Sequence, residues 1–229
     1  LIDGSIYGDL QNPFPKGVET SAKAKKDLIS ATLNDFEEMV KNPSDKSVYS
    51  PKLFNKYFKI YQEHKYPYTL YLTTIERLVV LKEILKNSRK MIAISKSSSN
   101  NDIFHSNMPD IAIFDKYTQK EGISKVIRKK VSKDINTTFP VFDEFFKDLK
   151  FTIFYLRLAD YKNVLKVELP YEASMAEIEE IATKLKKFST NGYPYLLKKA
   201  HNDVVISDKN IKELINIAKV REKSGREML

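Results

Sequence analysis

The chain contains no cysteine. That excludes disulfides, thiolate metal sites and a cysteine nucleophile. Tryptophan is also absent, and histidine occurs only three times, at His64, His105 and His201. The 6 glycines form no G-x-x-x-x-G-K-[ST] loop, so the chain carries no P-loop and no sign of an NTPase. A G-x-S-x-G elbow and an H-E-x-x-H zinc motif are missing too. No window of eighteen apolar residues occurs, which excludes a hydropathy-defined membrane helix, and the expected setting is cytoplasmic. The first residues, Leu1-Ile2-Asp3, are neither a signal peptide nor an initiator methionine.

Positive charge, in contrast, is abundant. Lys plus Arg number 39 against 30 Asp plus Glu, a net +9 in 229 residues. Such an excess suits a polyanionic partner, because each phosphate contact releases counterions. A merely soluble, lysine-rich surface explains charge alone equally well. Hydrophobic residues make up 42%, enough for a packed core and against wholesale disorder. Richness in Lys, Glu, Ile and Tyr leans towards a thermophile.

Periodicity sets the expected order of elements. Leu1 to Ile6 reads as the end of a buried strand running into a turn. Helical spacing covers about 21–41, about 51–61 and 70–87, the last with Leu72, Ile75, Leu78, Val79, Lys82 and Leu85 nearly on one face. Residues 90–96 form a short apolar run, and a strand after a helix suggests a βαβ-type crossover. Ile111 to Phe114 is a short strand or a helical turn, 120–134 is irregular or partly extended, and 141–148 is a short helix. Residues 150–158 and 164–169 read as a hairpin. Ser174 with Glu177 forms a capping box for a helix reaching about Phe188. Gly192 breaks the chain, and Pro194 suits the first turn of another helix. A last apolar run, Val204-Val205-Ile206, precedes a helix from Asp208 to about Arg221. The fold class is α/β, a mixed sheet flanked by helices, in one domain over 1–229 with a helical insertion at 20–88.

Few residues point to chemistry. Asp3-Gly4-Ser5 could bind a divalent metal at a strand end, with Gly4 letting ligand and phosphate approach, although such a turn is common. Lys96 ends a strand and could hold a phosphate as a point charge, or be a plain solvated lysine. Tyr193 would stand at a helix mouth, and His201 two turns in, on the face of Leu197 and Pro194. The first-turn amides there favour an anion, and the two side chains could orient phosphate or ligate metal. A packed histidine bonded to a carbonyl is the competing explanation. Glu76 is assigned to a helix ion pair with its neighbourhood, and Asp110 and Asp115 could point into a cleft.

Leu1-Ile2-Asp3-Gly4-Ser5-Ile6, Ile92 to Ser98, Gly192 to His201 with Val204 to Ser207, and Gly225-Arg226-Glu227 together resemble the NurA nuclease family. The block from Gly192 is the most specific. The resemblance implies an RNase H-like core and a metal-dependent, typically Mn2+-activated (or Mg2+-dependent) DNA nuclease. It further implies a homodimer working with the HerA translocase, a hexameric ATPase, in resecting DNA ends. Residue by residue, it implies that Asp3 is a metal-binding carboxylate and that Tyr193 and His201 are the C-terminal pair. The family carries more than one acidic motif, including a Glu on a following helix. A polar helical region follows Asp3 instead of hairpin strands, so Asp3 is assigned to the later motif, with upstream ligands expected ahead of Leu1. The alternative makes Asp3 the first motif and Glu76 the second carboxylate. A non-catalytic, basic DNA-binding or adaptor subunit docking on a translocase is the competing function.

Overall fold

A computed structural model describes residues 1–11, 34–38, 65–87, 90–131, 144–204, 211 and 213. Its centre is the hairpin of β5 (Lys150–Arg157) and β6 (Leu165–Leu169). Every residue of the pair is buried except Lys150. That is the burial of an inner sheet pair covered on both faces.

The sheet runs in the order β1–β2–β6–β5, where β1 is Ile2–Asp3 and β2 is Ala93–Ser95. Two short strands, β3 (Gly122–Ile123) and β4 (Ile127–Lys130), share the outer edge of β5. β1 and β2 are parallel, with Ile2 opposite Ala93 and Asp3 opposite Ile94; every other pairing is antiparallel. A parallel neighbour needs a crossover, here the chain holding α1 (Ile6–Gln11) and α2 (Lys65–Asn87). The expected βαβ-type connection is therefore present. Among the described residues β1 ends the strand order with Asp3 exposed, not buried as expected; its hydrogen bonds run from Ile2 N to Ile92 O and from Gly4 N to Ile94 O, both 2.9 Å.

One face of the sheet is apolar. Ile94, Phe154, Leu156, Leu165, Val167 and Leu169 pack against Ile178, Ile181, Ala182 and Leu185 of α5 (Met175–Lys187). Leu197 of α6 (Tyr195–Val204) joins them. Ser174 caps α5 by accepting from Glu177 N at 3.3 Å. The other half of the capping box is replaced, since the Glu177 carboxylate pairs with Lys90 at 2.7 Å. The opposite face is covered by α1, whose Tyr7 ring meets Phe151 edge-on at 5.3 Å, and by α3 (Asp110–Tyr117), whose Phe114 meets Tyr155 at 5.3 Å. α4 (Glu144–Asp148) leads into β5.

Several expectations change in detail. The 111–114 run is part of α3, a helix. Pro67 lies in the first turn of α2, where its missing N–H breaks no bond. Ile75, Leu78 and Val79 of α2 are buried as the helical spacing requires. Residues 34–38 are helical, as the first periodic stretch predicts. The expected helix at 51–61, most of the C-terminal helix and the Gly225-Arg226-Glu227 block lie outside the described residues. Val204, the first residue of the last apolar run, closes α6.

Candidate functional site

Asn191-Gly192 decides where Tyr193 goes. Both residues have positive φ, 55° and 75°. They form the two-residue turn between β7 (Ser189–Thr190) and β8 (Tyr193–Pro194), the turn chemistry that tight hairpins favour. Gly192 is doubly required, because a Cβ there would lie 2.5 Å from the Lys162 Cβ. Pro194 is thus a strand residue opposite Ser189, and α6 starts one residue later than expected. The Tyr195 amide donates to Phe188 O at 2.9 Å, so it is not free for an anion.

This small hairpin carries Tyr193 to the exposed end of β1. Its hydroxyl donates to Asp3 Oδ1 at 3.3 Å. Lys96, just past β2, sets its ammonium 4.2 Å from the centre of the Tyr193 ring. Asp3 and Lys96 meet here because β1 and β2 are parallel and in register, so both emerge at the same end. Burial, reinforced by the Asp3 charge and by the hydrogen bond to it, pushes the Tyr193 phenol up to about 12. At neutral pH it is a hydrogen-bond donor and not a base.

A pocket of about 400 Å³ opens beside this cluster. Lys96, Tyr193 and His201 line it, with Lys162, Lys198 and Asn163. Leu197, one turn before His201, anchors α6 in the core while His201 stays exposed. The four residues singled out from sequence, Asp3, Lys96, Tyr193 and His201, therefore gather at one place. Three lysines give the pocket the charge of a phosphate-binding surface. A second cavity of about 420 Å³, lined by Phe114, Lys120, Ser124 and Arg157, includes none of these four.

Asp110 and Asp115 do not join. Asp110 is fully buried and accepts from Ile103 N at 2.9 Å and Phe104 N at 3.0 Å, tying the 96–109 loop to α3. Asp115 lies 3.6 Å from Arg157. Arg77, beside Glu76, reaches Asp9 of α1 at 3.4 Å. Among the described residues no three His, Asp or Glu side chains stand close enough to hold a metal ion. The carboxylate of Asp3 and the imidazole of His201 have the oxygen and nitrogen chemistry that Mn2+ or Mg2+ accepts, but two such groups are fewer than a full ligand set.

Sequence reasoning missed Glu168 and Lys166. Both are buried in β6, 2.7 Å apart, and Glu168 accepts from Ser5 Oγ at 2.6 Å. The signal was a Lys and a Glu set alternately in an otherwise apolar strand.

A model of the NurA domain matches residues 1–206. The DNA double-strand break repair nuclease NurA of Sulfurisphaera tokodaii is 34% identical over 152 residues, 65% of this chain and 44% of that protein. The probable DNA double-strand break repair nuclease NurA of Methanocaldococcus jannaschii is 31% identical over 253 residues, all of this chain and 60% of that protein. The chain thus spans about half the length of these curated relatives. The crystal structure of the NurA nuclease from Sulfolobus solfataricus superposes with a TM-score of 0.63 at 22% identity, covering 99% of this chain and 60% of that one. A crystal structure of NurA bound to dAMP and manganese gives 0.61 at 16% identity over 97% of this chain and 70% of that one. These likenesses establish the fold, a mixed sheet flanked by helices.

Proposed function

The chain belongs to the NurA family, and from that premise we propose that it is a metal-dependent deoxyribonuclease, or the part of one that carries this pocket. The reading is that it hydrolyses phosphodiester bonds of single- and double-stranded DNA during end resection in recombinational repair. One observation carries it: Lys96, Tyr193 and His201, distant in sequence, line one basic pocket, and Asp3 accepts a hydrogen bond from the Tyr193 hydroxyl beside it.

Each residue has a role that its position supports. Asp3 and His201 would hold Mn2+ or Mg2+, with further ligands from elsewhere in the protein. The cation would activate water and offset charge on the phosphate. Tyr193, protonated at neutral pH, donates to Asp3 and fixes the direction of its carboxylate. Lys96 supplies a compact positive charge for the phosphate, and its contact with the Tyr193 ring holds it in place. The protein would act as a homodimer alongside a HerA-type hexameric ATPase, as the family resemblance implies.

The test is cleavage of end-labelled DNA by the full-length protein with Mn2+, alongside Mn2+ binding followed by the spin resonance of the free ion. His201→Ala is expected to lose both cleavage and Mn2+ affinity. Full Mn2+-dependent cleavage by His201→Ala would remove that residue from the site. A second reading, a basic DNA-binding or adaptor subunit, is favoured by the net charge of +9 together with 13 Tyr and 13 Phe. It predicts salt-sensitive DNA binding and no cleavage at any Mn2+ concentration.

A further inference from the structure

On the sheet face opposite α5 lies an ion pair that the roles above do not use. Lys166 and Glu168 stand two apart on β6 and so share one face of the sheet, the one opposite α5. Their side chains are 1% and 0% exposed. Both oxygens of Glu168 are engaged. Oε1 accepts from Lys166 at 2.7 Å and from Ser5 Oγ at 2.6 Å, while Oε2 accepts from Tyr7 N at 2.8 Å. Ser5 Oγ in turn accepts from Gly8 N at 2.8 Å, so a buried carboxylate and a hydroxyl cap α1 together. Ser5 lies two residues past Asp3. Gly4, between them, has φ +124°, a freedom that leaves the turn to be fixed by its partners.

Lys166 reaches the other arm. Its ammonium donates to Asn100 Oδ1 at 3.2 Å, the same oxygen that accepts from Ser98 Oγ at 3.0 Å. Asn100 Nδ2 donates to Asp102 at 3.0 Å, and Asp102 pairs with Lys129. Ser98 lies two residues past Lys96. A single buried pair thus ties down both the turn that presents Asp3 and the loop that presents Lys96.

Burying two charges is a poor way to gain stability, because desolvation offsets most of their attraction, and apolar replacements are often neutral or better. We propose that the Lys166–Glu168 pair is a positioning device, setting the Asp3 turn and the Lys96 loop at a fixed separation from beneath the sheet. The inference rests on the reading of the pocket as a nuclease site.

The test uses the full-length protein with Lys166→Met and Glu168→Gln together, which removes both charges and keeps shape and one acceptor. Amide hydrogen exchange of the 4–8 segment, Mn2+ affinity, and KM and kcat on DNA are compared with wild type. The double variant is expected to fold, to exchange faster at 4–8, and to lose about 10- to 100-fold in Mn2+ affinity and in kcat. KM for DNA should move far less. Wild-type exchange at 4–8 together with wild-type Mn2+ affinity in a folded double variant overturns the proposal. If the double variant does not fold, Ser5→Ala, which deletes only one contact of the turn, decides. It is expected to lose Mn2+ affinity several-fold in a folded protein, and unchanged affinity overturns the proposal. A wild-type protein that neither binds Mn2+ nor cleaves DNA defeats the nuclease reading, and exchange at 4–8 then still decides whether the pair fixes the turn.

Discussion

The two faces of the central sheet are built from the same strands and differ in kind. Towards α5, β6 presents Leu165, Val167 and Leu169 to an apolar cluster that includes Ile178 and Leu197. Away from it, the same strand presents Lys166 and Glu168, both fully enclosed and linked to Ser5 and Asn100. The apolar face holds the fold together and sets α6, hence His201, at the pocket. On the other face, which also buries Phe151 and Tyr155, the Lys166–Glu168 pair itself adds little net stability but couples two loops that belong to different strands. Hydrophobic contact is non-directional and tolerates small shifts. A satisfied polar network fixes its partners within tenths of an ångström, which is what a site needs.

Mutations on the two faces should separate these roles. The largest losses of stability are expected from Phe154→Ala and from Glu168→Ala. Phe154→Ala leaves a cavity in the apolar cluster, about 3–5 kcal/mol, and Glu168→Ala strands Lys166 in the interior, also about 3–5 kcal/mol. Urea unfolding checks both. The comparison breaks if Lys166→Met does not restore stability to the Glu168→Ala background, because the cost would then not come from the stranded charge.

A change at exposed Asp3 should show the reverse. Asp3→Asn is expected to alter unfolding free energy by no more than about 0.5 kcal/mol, while Mn2+-dependent cleavage falls by about two orders of magnitude or more. Ser174→Ala should take about 1 kcal/mol from stability through the α5 cap and leave cleavage per folded molecule unchanged.

The finest probe is the Tyr193 phenol. Its folded-state pKa, pushed up to about 12 by burial first and by Asp3 second, exceeds the ordinary value of 10.0. The stability it contributes is therefore complete below about pH 10 and is lost as pH rises through about 12. Burial also holds Tyr7, Tyr155 and Tyr171 above the ordinary value, so absorbance at alkaline pH should lose one of several late-titrating tyrosines in Tyr193→Phe. In Asp3→Asn its midpoint should fall towards 10 without reaching it, since burial remains. A midpoint unmoved by Asp3→Asn would sever the Asp3–Tyr193 contact from the site.

Local rules made much of this legible. The β5–β6 hairpin follows from two apolar runs around a polar turn, and α5 from the Ser174 cap and its spacing of Ile178, Ile181 and Leu185. Both depend on neighbours in sequence. The Asn191-Gly192 turn was equally local, yet reading Gly192 only as a break hid the hairpin that delivers Tyr193. Asp110 illustrates the opposite problem. A carboxylate beside an apolar run reads as a cleft residue, but its partners are backbone amides of a loop that sequence spacing does not bring near.

The sequence by itself determined the α/β class, the net positive charge and the family, and it named Asp3, Lys96, Tyr193 and His201 as candidates, because periodicity, capping and motif chemistry are written residue by residue. Tertiary structure alone decided that Asp3 is exposed at the end of the described strand order, and that the Lys and Glu of β6 face an enclosed interior. An alternating Lys and Glu on a strand has the same pattern whether water or α1 covers that face. The packing of α1 and of the 96–109 loop over that face removes the water, and with it turns two ordinary charges into a buried pair.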